Sequence, residues 1–257
     1  MSFRKFHKFS SSSYSFMFFW GLLGLDISLI ALMKFGLLEG FFFCFLFMLL
    51  IGFCWFKDVF YEDLSGQYSF QDCRIYRQGF RLFLFSELVL FFTVFWCFLD
   101  SSLCPVIWLG GVWTPWGLLT PDYLGLNAFA SIFLMMNSQL LKYSMRYLMM
   151  GSNKCEIVML ISLMIGGGFI CFQIYEYGHV VFSITDGIFG NIFFMGTGLH
   201  GSHVMVGVCF LLSSFIRTKL GHLNWEYSQS YFMMIDYWRF LEWMWGVMFS
   251  LFYVWGA

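Results

Sequence analysis

Residues 187–216 read GIFGNIFFMGTGLHGSHVMVGVCFLLSSFI and contain no Asp, Glu, Lys or Arg. A helix rises about 1.5 Å per residue and the hydrocarbon layer of a bilayer is about 30 Å thick, so this stretch can cross a membrane with length left for tilt. Working outward, six more segments reach spanning length, at 14–33, 36–56, 80–99, 124–141, 157–177 and 231–255. The fourth is diluted by Asn127, Asn137 and Gln139, and the stretch 101–121 is broken by Pro105, Pro115 and Pro121 and reads as a loop. Composition agrees: 60% of the 257 residues are apolar, Phe alone stands at 37 positions, and only 11% are charged where a soluble domain has about 25%. That is more apolar surface than one core can hide, which excludes a soluble monomer, a disordered chain and a collagen-like fibre. The expectation is an all-α membrane protein with seven transmembrane helices, one polytopic domain over 1–257.

Charge sets the orientation. Twelve of the fourteen basic side chains fall in the tail and in alternate loops: Arg4, Lys5 and Lys8; Lys57, Arg74, Arg77 and Arg81; Lys142, Arg146 and Lys154; Arg217 and Lys219. The opposite loops hold Lys34 together with Asp100, Asp122 and Asp186. Basic residues stay on the side from which a chain is inserted, so the N-terminus is expected inside and the C-terminus outside. The basic, Ser-rich start leads straight into the first span and reads as a mature tail. A net charge of −1 offers no basic face for nucleic acid. The eight cysteines form no C-x-x-C pair and read as small buried apolar residues.

A few polar residues inside the spans are the candidates for chemistry. Glu87 lies mid-helix in an apolar run, where an ionised carboxylate is expensive, so it is expected to be neutral, paired across helices or facing water. It is either a proton-linked or partner-contacting carboxyl, or an acid hydrogen-bonded inside the bundle. His200 and His203 share a helix face. Two imidazoles could be half of a metal or haem site, but His7, His179 and His222 lie in the tail and loops, so no metal site is expected and interhelical hydrogen bonding is preferred. Gly196, Gly198, Gly201 and Gly207 suit close helix approach. Asp236, Arg239 and Glu242 recur at i, i+3 and i+6 and read as a structural ion cluster rather than a transport site. Trp55, Trp96, Trp113, Trp116 and Trp255 fit interfacial belts, and Lys57 and Arg217 are placed to meet lipid phosphate.

The order of motifs resembles the cytochrome c oxidase subunit III family along nearly the whole chain. Trp55-Phe56-Lys57-Asp58-Val59 is similar to the end of that family's second helix, and Gly79 to Trp96 with Ser86-Glu87 to its third. Leu109-Gly110-Gly111, Trp113 and Pro115 resemble the loop that follows. Gln173, Glu176-Tyr177, Ser183-Ile184 and Asp186-Gly187 run on into Thr197-Gly198, His200-Gly201 and His203-Val204, and Tyr237-Trp238 opens the last helix. The family usually has His at Arg239 and Asp100, Asp at Glu242, and a His pair at Lys142-Tyr143, so this is a divergent member.

The resemblance implies a two-helix group (I–II) and a five-helix group (III–VII) around a lipid-filled cleft. It implies a non-catalytic core subunit of respiratory complex IV, in the mitochondrial inner membrane with its N-terminus on the matrix side. The oxidase passes electrons from cytochrome c to oxygen and translocates protons. Its haem and copper are expected in partner subunits, with no cofactor on this chain except structural phospholipids. Subunit I is the main expected contact, with subunit II, accessory subunits and a respiratory supercomplex as further partners. Glu87 is the carbodiimide-reactive carboxyl, and lipid contact is implied for Trp55, Lys57, Asp58, Trp96 and Arg217. Glu176, Asp186, His200 and His203 are left as packing or hydrogen-bonding residues. The competing function is an independent proton-linked transporter or channel using Glu87, against which the clustering of all three prolines in one loop counts. A lipid-modifying enzyme would need clustered His or Asp at one interface, and the sequence shows no such cluster.

Overall fold

The computed structural model describes residues 12–256 apart from 67, 69, 106, 108, 109, 116 and 224–228, with the side chain of Phe70 also outside the description. The tail residues Arg4, Lys5, His7 and Lys8, and Leu109 and Trp116, lie outside it. Seven helices follow one another: α1 Tyr14–Phe35, α2 Glu39–Leu64, α3 Phe70–Leu103, α4 Leu126–Met149, α5 Lys154–His179, α6 Ile188–Lys219 and α7 Gln229–Met248. The last continues into a π-helical stretch, Phe249–Trp255, closed by the Gly256 amide donating to the Leu251 carbonyl at 2.9 Å. There is no strand among the described residues. α3 starts well before the expected 80, because a polar first stretch with Arg74 and Arg77 continues the helix beyond the apolar run that marks a span.

Five helices, α1, α2, α3, α5 and α6, are long and apolar enough to cross a membrane. α4 and α7 have the length but not the hydropathy, and the structure supplies the reason for α4. Its polar residues face protein: Asn127, Ser131, Asn137, Ser138 and Ser144 are all buried. Ser131 Oγ accepts from the Trp245 indole at 2.8 Å, Asn137 Nδ2 donates to the Ser162 carbonyl at 3.2 Å, and Ser144 meets the Tyr231 hydroxyl. In lipid such bonds hold helices together where apolar contact alone has no preference between a neighbour and an acyl chain.

The chain divides into two compact units, Met1–Arg74 and Ile75–Ala257. In the first, α1 packs on α2 along a seam of small residues. Gly21, Gly24 and Ser28, at i, i+3 and i+7 on α1, lie against Met48, Cys44 and Gly40 of α2. The rest of both helices carries outward-facing Phe and Leu, among them Phe42, Phe43 and Phe53. Only hydrocarbon or another protein can cover such a surface.

In the second unit α4 packs on α5 and α7, α5 on α6, and α6 on α7. Trp238, at the centre, is slotted between two helices. A Cβ on Gly207 of α6 would lie 2.6 Å from its ring and one on Gly166 of α5 2.8 Å, both inside contact distance. Gly196 similarly admits Phe252, whereas Gly201 faces open space and Gly198 meets nothing closer than 3.8 Å, so two of the four expected approach glycines serve that role. Arg77 Nη2 donates to Gln229 Oε1 at 2.6 Å and Arg217 Nη1 to Ser230 Oγ at 2.8 Å. The start of α3, the end of α6 and the start of α7 therefore share one end of this unit, and basic side chains tie them there.

Gly207→Ala is expected to cost about 1–3 kcal/mol through overpacking against Trp238, while Gly201→Ala stays within about 0.5 kcal/mol. Thermal denaturation of the two purified variants checks this; equal midpoints would remove the slot as a stabilising feature.

Candidate functional site

The site grows from the two isolated polar positions of α3 and α6. Glu87 and His203, 116 residues apart, meet with Oε2 2.9 Å from Nε2. Their side chains are 20% and 13% exposed, at the edge of the second unit rather than in its centre. His203 Nδ1 lies 2.8 Å from the Leu199 carbonyl. A carbonyl only accepts, so Nδ1 carries a hydrogen and Nε2 is left to face the carboxyl. The contact gives the carboxyl a hydrogen-bonding partner on another helix, which offsets part of the cost of placing an acid at that depth. The fully buried Phe91 packs at a tilt against the imidazole, ring centroids 5.2 Å apart, and the Tyr237 hydroxyl donates to the His203 carbonyl at 3.2 Å. The sequence singles out each residue but not their pairing, since the two are on separate helices; the only cue is that each is an ionisable group in an apolar run.

His200 points elsewhere. Fully buried between Phe169 and Trp245, its Nε2 donates to the Leu241 carbonyl of α7 at 3.2 Å. Three residues apart, the two histidines thus serve different neighbours, α7 and α3, and converge on no common centre. Among the described residues no three His, Cys, Asp or Glu side chains come together as metal ligands would.

A second polar group lies deeper. Glu176, buried near the end of α5, accepts from Gln173 Nε2 and from the Tyr253 hydroxyl of the π-helical stretch, each at 2.9 Å on Oε2. Asp186 is exposed and structural: its Oδ2 accepts from the Ser183 amide at 2.7 Å, shaping the turn into α6. On helix seven Arg239 faces Asp236 at 3.9 Å, a loose contact between half-exposed side chains.

The residues expected to meet lipid divide. In the first unit Trp55 stacks on Tyr14, whose hydroxyl donates to Asp58, and Lys57 is exposed near the end of α2, above the Tyr61 ring. Trp96 projects outward beside Phe92. Arg217 is only 6% exposed, and its Nη1 donates to Ser230 Oγ, so it links α6 to α7.

The sequence model of cytochrome c oxidase subunit III matches residues 4–257. Cytochrome c oxidase subunit 3 of Arabidopsis thaliana is 33% identical over 82% of this chain and 81% of its own length. That of Schizophyllum commune is 33% identical over 79% and 76%, and that of Cyanidium caldarium 34% identical over 80% and 77%. The chain belongs to the cytochrome c oxidase subunit III family and is a subunit of that oxidase complex.

Leaving either member of the Glu87–His203 pair without its partner strands a desolvated polar group, whereas removing both does not. Glu87→Leu and His203→Leu are each expected to lower stability by about 1–3 kcal/mol, with the double variant well below their sum. Additive losses in heat-stability measurements on the purified complex would show that the two side chains do not interact.

Proposed function

We propose that this chain is a non-catalytic, lipid-embedded core subunit of the oxidase that stabilises subunit I, the subunit bearing the redox centres. The observation that carries this reading is how its membrane histidines are used. Both nitrogens of His203 are occupied, by Leu199 and Glu87, and Nε2 of His200 is committed to Leu241. Side chains so engaged brace helices against one another and have little left for haem or copper. The haem and copper belong to partner subunits, subunit I being the main contact, with subunit II and accessory subunits beyond it.

The basic end of the bundle lies on the matrix side of the mitochondrial inner membrane, with the N-terminus there and the C-terminus in the intermembrane space. The grouping of Arg77 and Arg217 at one end supports this, because basic residues favour the side of insertion. Structural phospholipids are held by Trp55, Lys57 and Asp58 in the first unit and by Trp96 in the second. Glu87 is the proton-linked carboxyl: one-fifth exposed and in hydrogen-bond contact with His203, it is open to attack from the lipid side.

Purification in mild detergent is expected to recover the chain with a haem-bearing partner, and Glu87→Gln to leave the haem and copper spectra unchanged. A lost metal centre in that variant would refute the absence of ligands here. A chain that purified alone and moved protons in liposomes would make it a transporter. A hydrophobic carbodiimide is expected to label Glu87 in the intact complex, with labelling checked by peptide mass spectrometry and abolished in Glu87→Gln.

A further inference from the structure

α4 and α7 run antiparallel: Ser144 near the end of α4 meets Tyr231 near the start of α7, and Ser131 near the start of α4 meets Trp245 near the end of α7. The start of α4, the end of α5 and the π-helical stretch therefore come together at the end of the second unit opposite Arg77 and Arg217, around Glu176. A notch of about 490 Å³ opens there, and Glu176 forms part of its wall with Asp122, Asn127 and His179. Among the described residues no Lys or Arg lines it.

Glu176 and Gln173, one turn apart on α5, are only 7% and 5% exposed. Glu176 Oε2 accepts twice, from Gln173 Nε2 and from the Tyr253 hydroxyl, both at 2.9 Å. Glu176 Oε1 and Gln173 Oε1 are buried and receive no hydrogen bond. Asn127 stands beside the carboxyl, but its Nδ2 donates to the Asp122 carbonyl at 3.0 Å and makes no hydrogen bond to Oε1. The ionisable groups nearby are otherwise engaged. Tyr177 is bonded to Thr197 at 2.7 Å, Asp122 accepts from the Leu124 amide at 3.0 Å, and His179 Nδ1 donates to the Tyr175 carbonyl at 2.9 Å. None of them is ion-paired with Glu176.

As a carboxylate, Glu176 would hold a full negative charge with one oxygen bare, next to an amide whose own oxygen is also bare, and each buried acceptor without a donor is costly. One proton removes both faults. A carboxylic acid has one oxygen that accepts and one that donates. With the hydrogen on Oε1, Oε2 keeps its two donors and Gln173 Oε1 gains one, on the same amide whose Nε2 already touches Oε2. Acid and amide then close a ring of two hydrogen bonds. We propose that Glu176 is a proton-binding site, a neutral carboxylic acid whose Oε1 hydrogen bonds Gln173 Oε1 and exchanges with solvent through the notch. The site shares no residue with the Glu87–His203 pair and is independent of the reading given to Glu87.

The test uses the intact purified oxidase, followed by infrared difference spectroscopy as H2O is replaced by D2O at neutral pH. Wild type is expected to show the carbonyl stretch of a protonated carboxyl, moving to lower frequency on deuteration, lost in Glu176→Gln and kept in Glu87→Gln. Gln173→Leu removes the acceptor of the proton and is expected to move the band to higher frequency, which carries the test should Glu176→Gln fail to assemble. Asn127→Leu is expected to leave the band in place. Wild-type and Glu176→Gln spectra that coincide in the carboxylic-acid region overturn the proposal. A band indifferent to D2O overturns access through the notch, and one that moves with Asn127→Leu but not with Gln173→Leu overturns the pairing with Gln173.

Discussion

Inside a bilayer a polar side chain has no water to turn to, so each one must find a partner supplied by the fold. The second unit is organised by that constraint. Ser131 with Trp245, Asn137 with the Ser162 carbonyl, Ser144 with Tyr231, Glu176 with Tyr253 and Glu87 with His203 each join two helices. The large aromatic core of Trp238, Trp245, Phe91 and Phe193 fills the space these bonds enclose. Acyl chains are as apolar as leucine, so dispersion alone would not select one neighbour over another. Directed hydrogen bonds do.

The same constraint explains what the sequence discloses. The apolar runs show through because hydrocarbon thickness sets their length, and five of the seven stand out on hydropathy alone. α4 is faint for a physical reason: the Ser and Asn residues that lower its hydropathy are those that turn inward. The Glu87–His203 contact is hidden because periodicity gives each residue a face on its own helix but not the helix opposite. Arg217 shows the same limit. Its place at a helix end was legible, but its hydrogen bond to Ser230 of α7 was not. Lys142 and Arg239, distant in sequence, come to line one furrow only because α4 and α7 run antiparallel.

The two units meet the membrane differently. α1 and α2 bury only Gly21, Ser28 and Ile51 between them, so their pairing rests on a close backbone approach along small residues. The five helices of the second unit enclose a continuous core and can tolerate polar groups because they surround them. A hairpin with so little interior gains its order from whatever covers it, which suits a subunit that works by being packed against others.

The slot around Trp238 bears on how the protein is made. Gly166 and Gly207 leave the ribosome before the tryptophan that fills the space between them, and His200 before the Leu241 carbonyl it bonds. Until α7 enters the bilayer, the earlier helices of the second unit surround a gap and an unsatisfied imidazole. Insertion of α7 is therefore the event that locks the bundle, and a polypeptide truncated ahead of it would present quality-control proteases with an open, polar-lined seam.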